Sequence, residues 1–283
     1  MCLQRMSTED STTAIGIRRP SRYNRGMFHA SELVRQLAGL RFGHPVQVFQ
    51  QIGSTNDHAK RLAEGGAPEG LLVLAEEQTA GRGRMNRHWL TPPGTALALS
   101  LILRPTLPAA QLSRLTLLAG VAACEAIEQT TTVRAELKWP NDILLSGKKA
   151  GGILVEGAFN GEALDYAVLG LGLNVSWSPE AVDFPATNVQ AECGQTIDRA
   201  QLLRALLTRL ETWAAALTAP ALFEAWRARL VWLGQPIVIH TPEGELPGQA
   251  EDVDDDGALR VRLASGEMRR VLAGDVHLRP TRG

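Results

Sequence analysis

Short apolar runs alternate along this 283-residue chain with longer stretches whose apolar residues recur every three or four positions. The two periods predict different elements. A short helix over 31–40 (SELVRQLAGL) precedes an extended segment at 45–52 (PVQVFQQI). In STND (54–57), Ser54 or Thr55 can cap a helix running through Lys60 to Glu64 and stopped by Gly65-Gly66. GLLVLAEEQ (70–78) and TALALSLILR (95–104) are apolar runs of strand type. Pro108 suits the first turn of a long helix with Leu112, Leu115, Ala119, Ala122 and Ala126 on one face.

Four short strands follow, in VRAELKWP, DILLSG, AGGILVEGAF and ALDYAVLGLGLNVS. Asn160-Gly161 predicts a two-residue hairpin whose central positions both take positive φ. Asp198 and Gln201 stand three apart, as a capping box does, before LLRALLTRLETWAAAL. A second helix, ALFEAWRARLVWL, is expected to end at Gly234. Beyond it, short strands alternate with turns at Pro242-Glu-Gly, Asp254-Asp-Asp-Gly and Ala264-Ser-Gly, predicting a β-barrel of about 45 residues. The pattern as a whole reads as an α+β fold with a largely antiparallel sheet. Residues 1–26 are polar and aperiodic, the mark of a disordered tail.

Composition narrows the function. With 29 basic and 30 acidic side chains, a formal net charge of −1, no global field draws the chain to nucleic acid or an anionic membrane. Cys2, Cys124 and Cys193 are too scattered for a metal site or a disulfide framework, which fits a cytoplasmic setting. The six histidines show no metal spacing either. Neither a membrane span nor a secretory leader is expected.

Candidate chemistry concentrates in GRGRMNRHW (81–89), which puts three arginines on a glycine-rich loop. Its company is STN (54–56), EEQTAGRGR (76–84), KWPNDILLSGKKAGGILVE (138–156) and GLGLNV (170–175). Arg82 and Arg84 on one segment, and Lys138, Lys148 and Lys149 on another, supply cations from two directions. Two like unit charges about 4 Å apart repel by roughly 4 kcal/mol at an effective dielectric of 20, so a site joining two anions needs such cations. Gly151-Gly152 and Gly170-x-Gly172 would let a flat ligand approach the backbone.

Together these four stretches resemble the biotin protein ligase family from about residue 46 to the C-terminus. The resemblance implies a mixed, largely antiparallel sheet with helices, a class II synthetase-like catalytic domain at 27–233, and an SH3-like β-barrel at 234–283. It implies activation of biotin by ATP with Mg2+ to biotinyl-5′-AMP. Transfer follows to a lysine of a biotin carboxyl carrier protein of acetyl-CoA carboxylase. Ser54, Thr55, Asn56 and Gln78 would bind biotin, with Arg82, Gly83, Arg84, Lys149, Gly152, Leu154, Gly170 and Gly172 alongside. Arg82, Arg84, Arg87, Lys138, Asn141 and Asn174 would meet ATP. Lys149, Arg84, Lys138 and Asp142 would carry the chemistry. Asn141 and Asp142 would serve the nucleotide or its metal, or assist deprotonation of the incoming lysine. Trp89 and Trp139 are expected in the core.

Some relatives carry an N-terminal DNA-reading domain, for which the residues before Val46 offer too little, so no repressor function is expected. Homodimerisation through sheet edges stays open. Lipoate ligation is the nearest rival activity, although the arginine-glycine motif with a following histidine is missing. An RNA-binding module is the rival from another class; the net charge and the acidic EDVDDDG weigh against it.

Overall fold

The apolar runs pair into one seven-stranded sheet. Its strands are β1 (Val46–Ile52), β2 (Leu72–Gln78), β3 (Ala96–Leu103), β4 (Ala135–Lys138), β5 (Asp142–Leu145), β6 (Lys148–Asn160) and β7 (Ala163–Asn174). Their order is β1-β2-β3-β7-β6-β5-β4. Only β1 and β2 run parallel, and a parallel pair needs a crossover, which α2 (Thr55–Glu64) supplies. The remaining pairs are antiparallel, as the hairpin chemistry predicts. This computed structural model describes residues 27–180, 184–241 and 244–278. The tail expected at 1–26 and part of the Pro242 turn lie outside the described residues.

β3 is buried along its whole length, which explains an apolar run broken only at Ser100. Below the sheet lie α3 (Arg114–Thr130) and α5 (Arg199–Ala215), packed against each other. The stretch Ala109–Thr130 is long and apolar enough to cross a bilayer, yet two-thirds of it is buried inside the protein. Ser54 caps α2 by accepting the Asp57 N–H, and Asp198 caps α5 by accepting those of Ala200 and Gln201.

Local signals misplace four boundaries. The first helix, α1 (Ala30–Gln36), stops before Gly39. Pro108 stays extended and bridges Ala163; a 3-10 turn follows and the α-helix opens only at Arg114. In the β6–β7 hairpin Asn160 pairs with Ala163, so the two loop residues are Gly161 and Glu162. Of the two, Gly161 alone has positive φ, as a turn with glycine at its first central position requires. The second C-terminal helix, α6 (Pro220–Arg227) after the short α4 (Val189–Cys193), ends early because Leu230 is drawn into a bridge with Leu137 of β4.

The C-terminal strands β8 (Pro236–Thr241), β9 (Gly244–Val253), β10 (Leu259–Arg262), β11 (Met268–Val271) and β12 (Asp275–Leu278) form a five-stranded antiparallel sheet. Its order is β11-β10-β9-β8-β12, with a bulge in the β9–β10 register that bends it. Ile237, Ile239, Val253 and Val261 are buried on its inner side. Asp275 joins this sheet to the larger one: it accepts from the Lys138 ammonium at 3.2 Å and from the Arg87 guanidinium.

A second buried charge pair sits in the main core. The Arg199 guanidinium meets the fully buried Glu76 carboxylate at 2.9 Å, donates to the Ala96 carbonyl and lies 4.4 Å from the centre of the Phe28 ring. Removing one member of such a pair strands the other in low dielectric. Arg199→Met is expected to cost about 3–5 kcal/mol. On the exposed face, Arg262→Ala breaks a pair with Glu251 and is expected to cost under about 1 kcal/mol. Urea unfolding of both variants checks the contrast.

Acid should find Asp275. Burial works against its ionisation, but Lys138 and Arg87 outweigh burial and hold the carboxyl well below the usual range. A depressed folded-state pKa contributes stability in full above the ordinary value of about 4 and loses it as pH falls further. The gap in urea midpoint between wild type and Asp275→Asn is therefore expected to be widest near neutrality and to narrow below about pH 4. A gap independent of pH would contradict this role.

Candidate functional site

At one end of the large sheet a cavity of about 740 Å³ opens, lined by all seventeen residues assigned above to biotin, ATP or the chemistry. Sequence brings them from five segments; strand order brings them together. Gly151 is not in the lining, and Lys148, expected among the cations, pairs instead with Glu192 at 3.1 Å. β7 lies between β3 and β6, so the glycines of GLGLNV come to the cavity floor beside Gly152 and Leu154.

One end is built from amides and hydroxyls. Gln78, at the end of β2, accepts the Thr55 N–H at 2.8 Å and contacts the Thr55 hydroxyl at 3.0 Å. Asn56 Nδ2 donates to Glu156 Oε2 at 2.8 Å and to the Leu154 carbonyl at 3.3 Å. Those two acceptors settle which way the amide points, so its Oδ1 accepts the Ser100 hydroxyl at 2.6 Å. Gly170 is glycine because Asn56 occupies its side-chain space: a Cβ there would lie 2.2 Å from Asn56 Oδ1.

The other end is a buried alternation of charge. Asp142 contacts Lys149 through Oδ1 at 2.5 Å and Lys138 through Oδ2 at 3.2 Å. Lys138 continues to Asp275, and Asp275 to Arg87 and to His277 at 3.1 Å. Lys138 also lies 4.6 Å from the centre of the Phe184 ring. Arg84 faces Asp142 and Asp275; burial lowers its pKa, and the two carboxylates only partly offset that. Asn141 donates to the Ile153 carbonyl at 2.7 Å and Asn174 to that of Thr187 at 3.1 Å, which holds both amides at the wall.

The arginine loop is folded on itself. Trp89 N–H donates to the Gly81 carbonyl and Gly83 N–H to that of Arg87, with Met85 in the left-handed region at φ 53°. The three arginines divide. Arg84 and Arg87 point to the charged end, whereas Arg82 pairs with Asp57 at 2.6 Å and Glu156 at 2.7 Å beside Asn56.

Several participants escape sequence reasoning. Trp139 is buried as expected, with its indole N–H on the Gly257 carbonyl. Trp89 is not a core residue: its ring lies on Gly172, where a Cβ would come within 2.4 Å. Its buried Nε1 has no partner among the described residues. Asp275, His277 and His240 reach the cavity from the C-terminal sheet, and no local pattern marks them. Ser100 and Glu156 sit in strands as ordinary polar interruptions. Cys124 offers no nucleophile, since burial pushes its thiol up to about 12. Among the described residues no three His, Cys, Asp or Glu side chains gather as metal ligands.

Comparison with known proteins meets this geometry. Residues 48–174 match the biotin/lipoate A/B protein ligase family, and residues 232–279 match the biotin protein ligase C-terminal domain. The chain is 38% identical over 256 residues to the biotin–[acetyl-CoA-carboxylase] ligase of Mycobacterium tuberculosis, covering 86% of this chain and 93% of that one. It is 35% identical over 257 residues to the bifunctional ligase/repressor BirA of Bacillus subtilis, covering 84% and 78%. The structure is similar to biotin protein ligase from Aquifex aeolicus in complex with biotin and ATP. That likeness has a TM-score of 0.69 and 28% identity, over 83% of this chain and 99% of the other. Motifs, fold and relatives agree: this chain belongs to the biotin protein ligase family.

Proposed function

We propose that this chain is an ATP-dependent ligase that activates biotin as biotinyl-5′-AMP and passes it to a lysine of a biotin carboxyl carrier protein, an acetyl-CoA carboxylase subunit. The observation that carries the reading is the shared cavity. Arg84 and Arg87 from the loop, and Lys138 and Lys149 from the sheet, face one space beside an amide-rich end. A bicyclic ureido ring matches the amides and hydroxyls around Thr55, Asn56 and Gln78. The dithiolane of lipoate would leave them unpaired, and unpaired buried polar groups discriminate strongly.

In the first step a biotin carboxylate oxygen attacks the α-phosphorus of ATP, whose magnesium arrives with the nucleotide, and pyrophosphate leaves. Charge builds on the α-phosphoryl oxygens, and Lys149 and Lys138 on the sheet carry most of its stabilisation, a single such donor being worth about 10²–10³ in rate, with a smaller share from Arg84 on the loop. In the second step the neutral ε-amine of the carrier lysine attacks the acyl carbon. The bond from that carbon to the phosphate oxygen breaks, and AMP leaves with its electron pair. Asp142 begins as a counter-ion with both oxygens occupied. Once Lys149 turns to phosphate, one oxygen becomes available for the amine's proton. Residues 27–233 form the catalytic unit in this reading. Residues 234–283 form a second unit that contributes Asp275 to the cavity wall.

Pyrophosphate exchange into ATP, run with biotin, lipoate and RNA in turn, tests the function. Exchange is expected with biotin alone, and an equal signal with lipoate would overturn the reading. Arg84→Gly tests the loop as a cover. It is expected to speed loss of the bound adenylate by about 10- to 100-fold, the scale of one hydrogen bond to a charged group, and to slow its formation less. Equal effects on both steps, followed by stopped-flow and filter retention, would argue against a covering role.

A further inference from the structure

Arg82 does not use its charge on the cationic end of the cavity. Its Nη2 lies 2.6 Å from Asp57 on the first turn of α2 and 2.7 Å from Glu156 on β6. Glu156 Oε2 takes a second donor, Asn56 Nδ2, at 2.8 Å. From Asn56 the contacts run on through Ser100 to Thr55 and Gln78, at 2.6 Å, 2.8 Å and 3.0 Å.

The protons along this path can be counted. Asn56 Oδ1 is acceptor only, so the single Ser100 hydroxyl proton must go to it. The Thr55 proton then serves Ser100 or Gln78. Among the described residues Glu156 is the one full charge hydrogen-bonded to Asn56, and it occupies the outer end of the path, where Arg82 arrives from the loop.

We propose that Arg82 and Glu156 are positioning residues that make the closed loop and the amide end of the cavity a single unit. Arg82 clamps α2 to β6. Without it the Asp57 and Glu156 carboxylates face each other with no cation between them, and their repulsion loosens the elements that carry Asn56 and Leu154. Glu156 does two things at once: it orients the Asn56 amide and holds residues 81–89 down. Ordering of the loop and recognition of a neutral, hydrogen-bonding ring thus reinforce each other. The charged end, where Arg84 and Arg87 act, is left free to meet phosphate.

The inference about recognition rests on the ligase reading; the inference about the loop does not. The test uses the full chain with Glu156→Gln, Arg82→Gln and the double variant. Amide hydrogen exchange on the ligand-free protein is expected to rise about three- to fivefold at Gly83, Arg87 and Trp89 in each single variant, the scale of a part-exposed ion pair. The double variant is expected to add little, and exchange in β3 to stay unchanged. In biotin-dependent pyrophosphate exchange, KM for biotin is expected to rise on the order of 10-fold with KM for ATP within about twofold. Unchanged loop exchange, or equal rises in both KM values, overturns the proposal. A wild-type protein without biotin-dependent exchange overturns the ligase reading instead, and the loop measurement still decides on the clamp.

Discussion

Five charged side chains from five segments form one alternating row: Lys149, Asp142, Lys138, Asp275 and Arg87. Lys138 and Asp142 are almost wholly buried. A buried charge is tolerated only when its neighbours neutralise it, so each member of the row depends on the next. The row ties β4, β5 and β6 to the C-terminal sheet and to the arginine loop. With Arg84 added, four cations face two carboxylates, and the surplus is the positive field that an anionic intermediate needs.

The sheet supplies the frame for that row. Antiparallel pairing of β5 with β6 brings Asp142 opposite Gly152, and its bulge beside Ile143 shifts the register that brings Lys149 to Leu144. Pairing of β6 with β7 sets Gly152 opposite Gly172, which leaves a floor of bare backbone. That floor is filled by side chains of this chain: Asn56 covers Gly170 and Trp89 covers Gly172. Close approach accounts for Gly170 and Gly172, whereas a Cβ at Gly152 would meet nothing nearer than 3.8 Å. The approaching groups in this structure are an amide and an indole.

The loop resolves into two jobs that its sequence presents as one. GRGR looks like a uniform run of cations, and an extended segment would set Arg82 and Arg84 on one side, but the chain turns at Arg84 and the two side chains part. Arg82 goes to the acids beside the amide end, and Arg84 to the acids of the charged row. A cover with both ends anchored limits water access to a reactive anhydride more effectively than one held by phosphate alone.

Local chemistry made much of this protein legible from its sequence. Apolar periods mark every strand of the large sheet, Ser54 and Asp198 announce their helices, and glycines mark the hairpins. The motifs name seventeen residues that share one cavity. Pattern reading fails where the deciding partner is distant. Glu156 stands 74 residues from Arg82, and Asp275 stands 137 from Lys138. No window of sequence contains both members of either pair. An arginine that closes a loop and one that meets phosphate are identical as letters, and only the packed chain decides which carboxylate stands within reach.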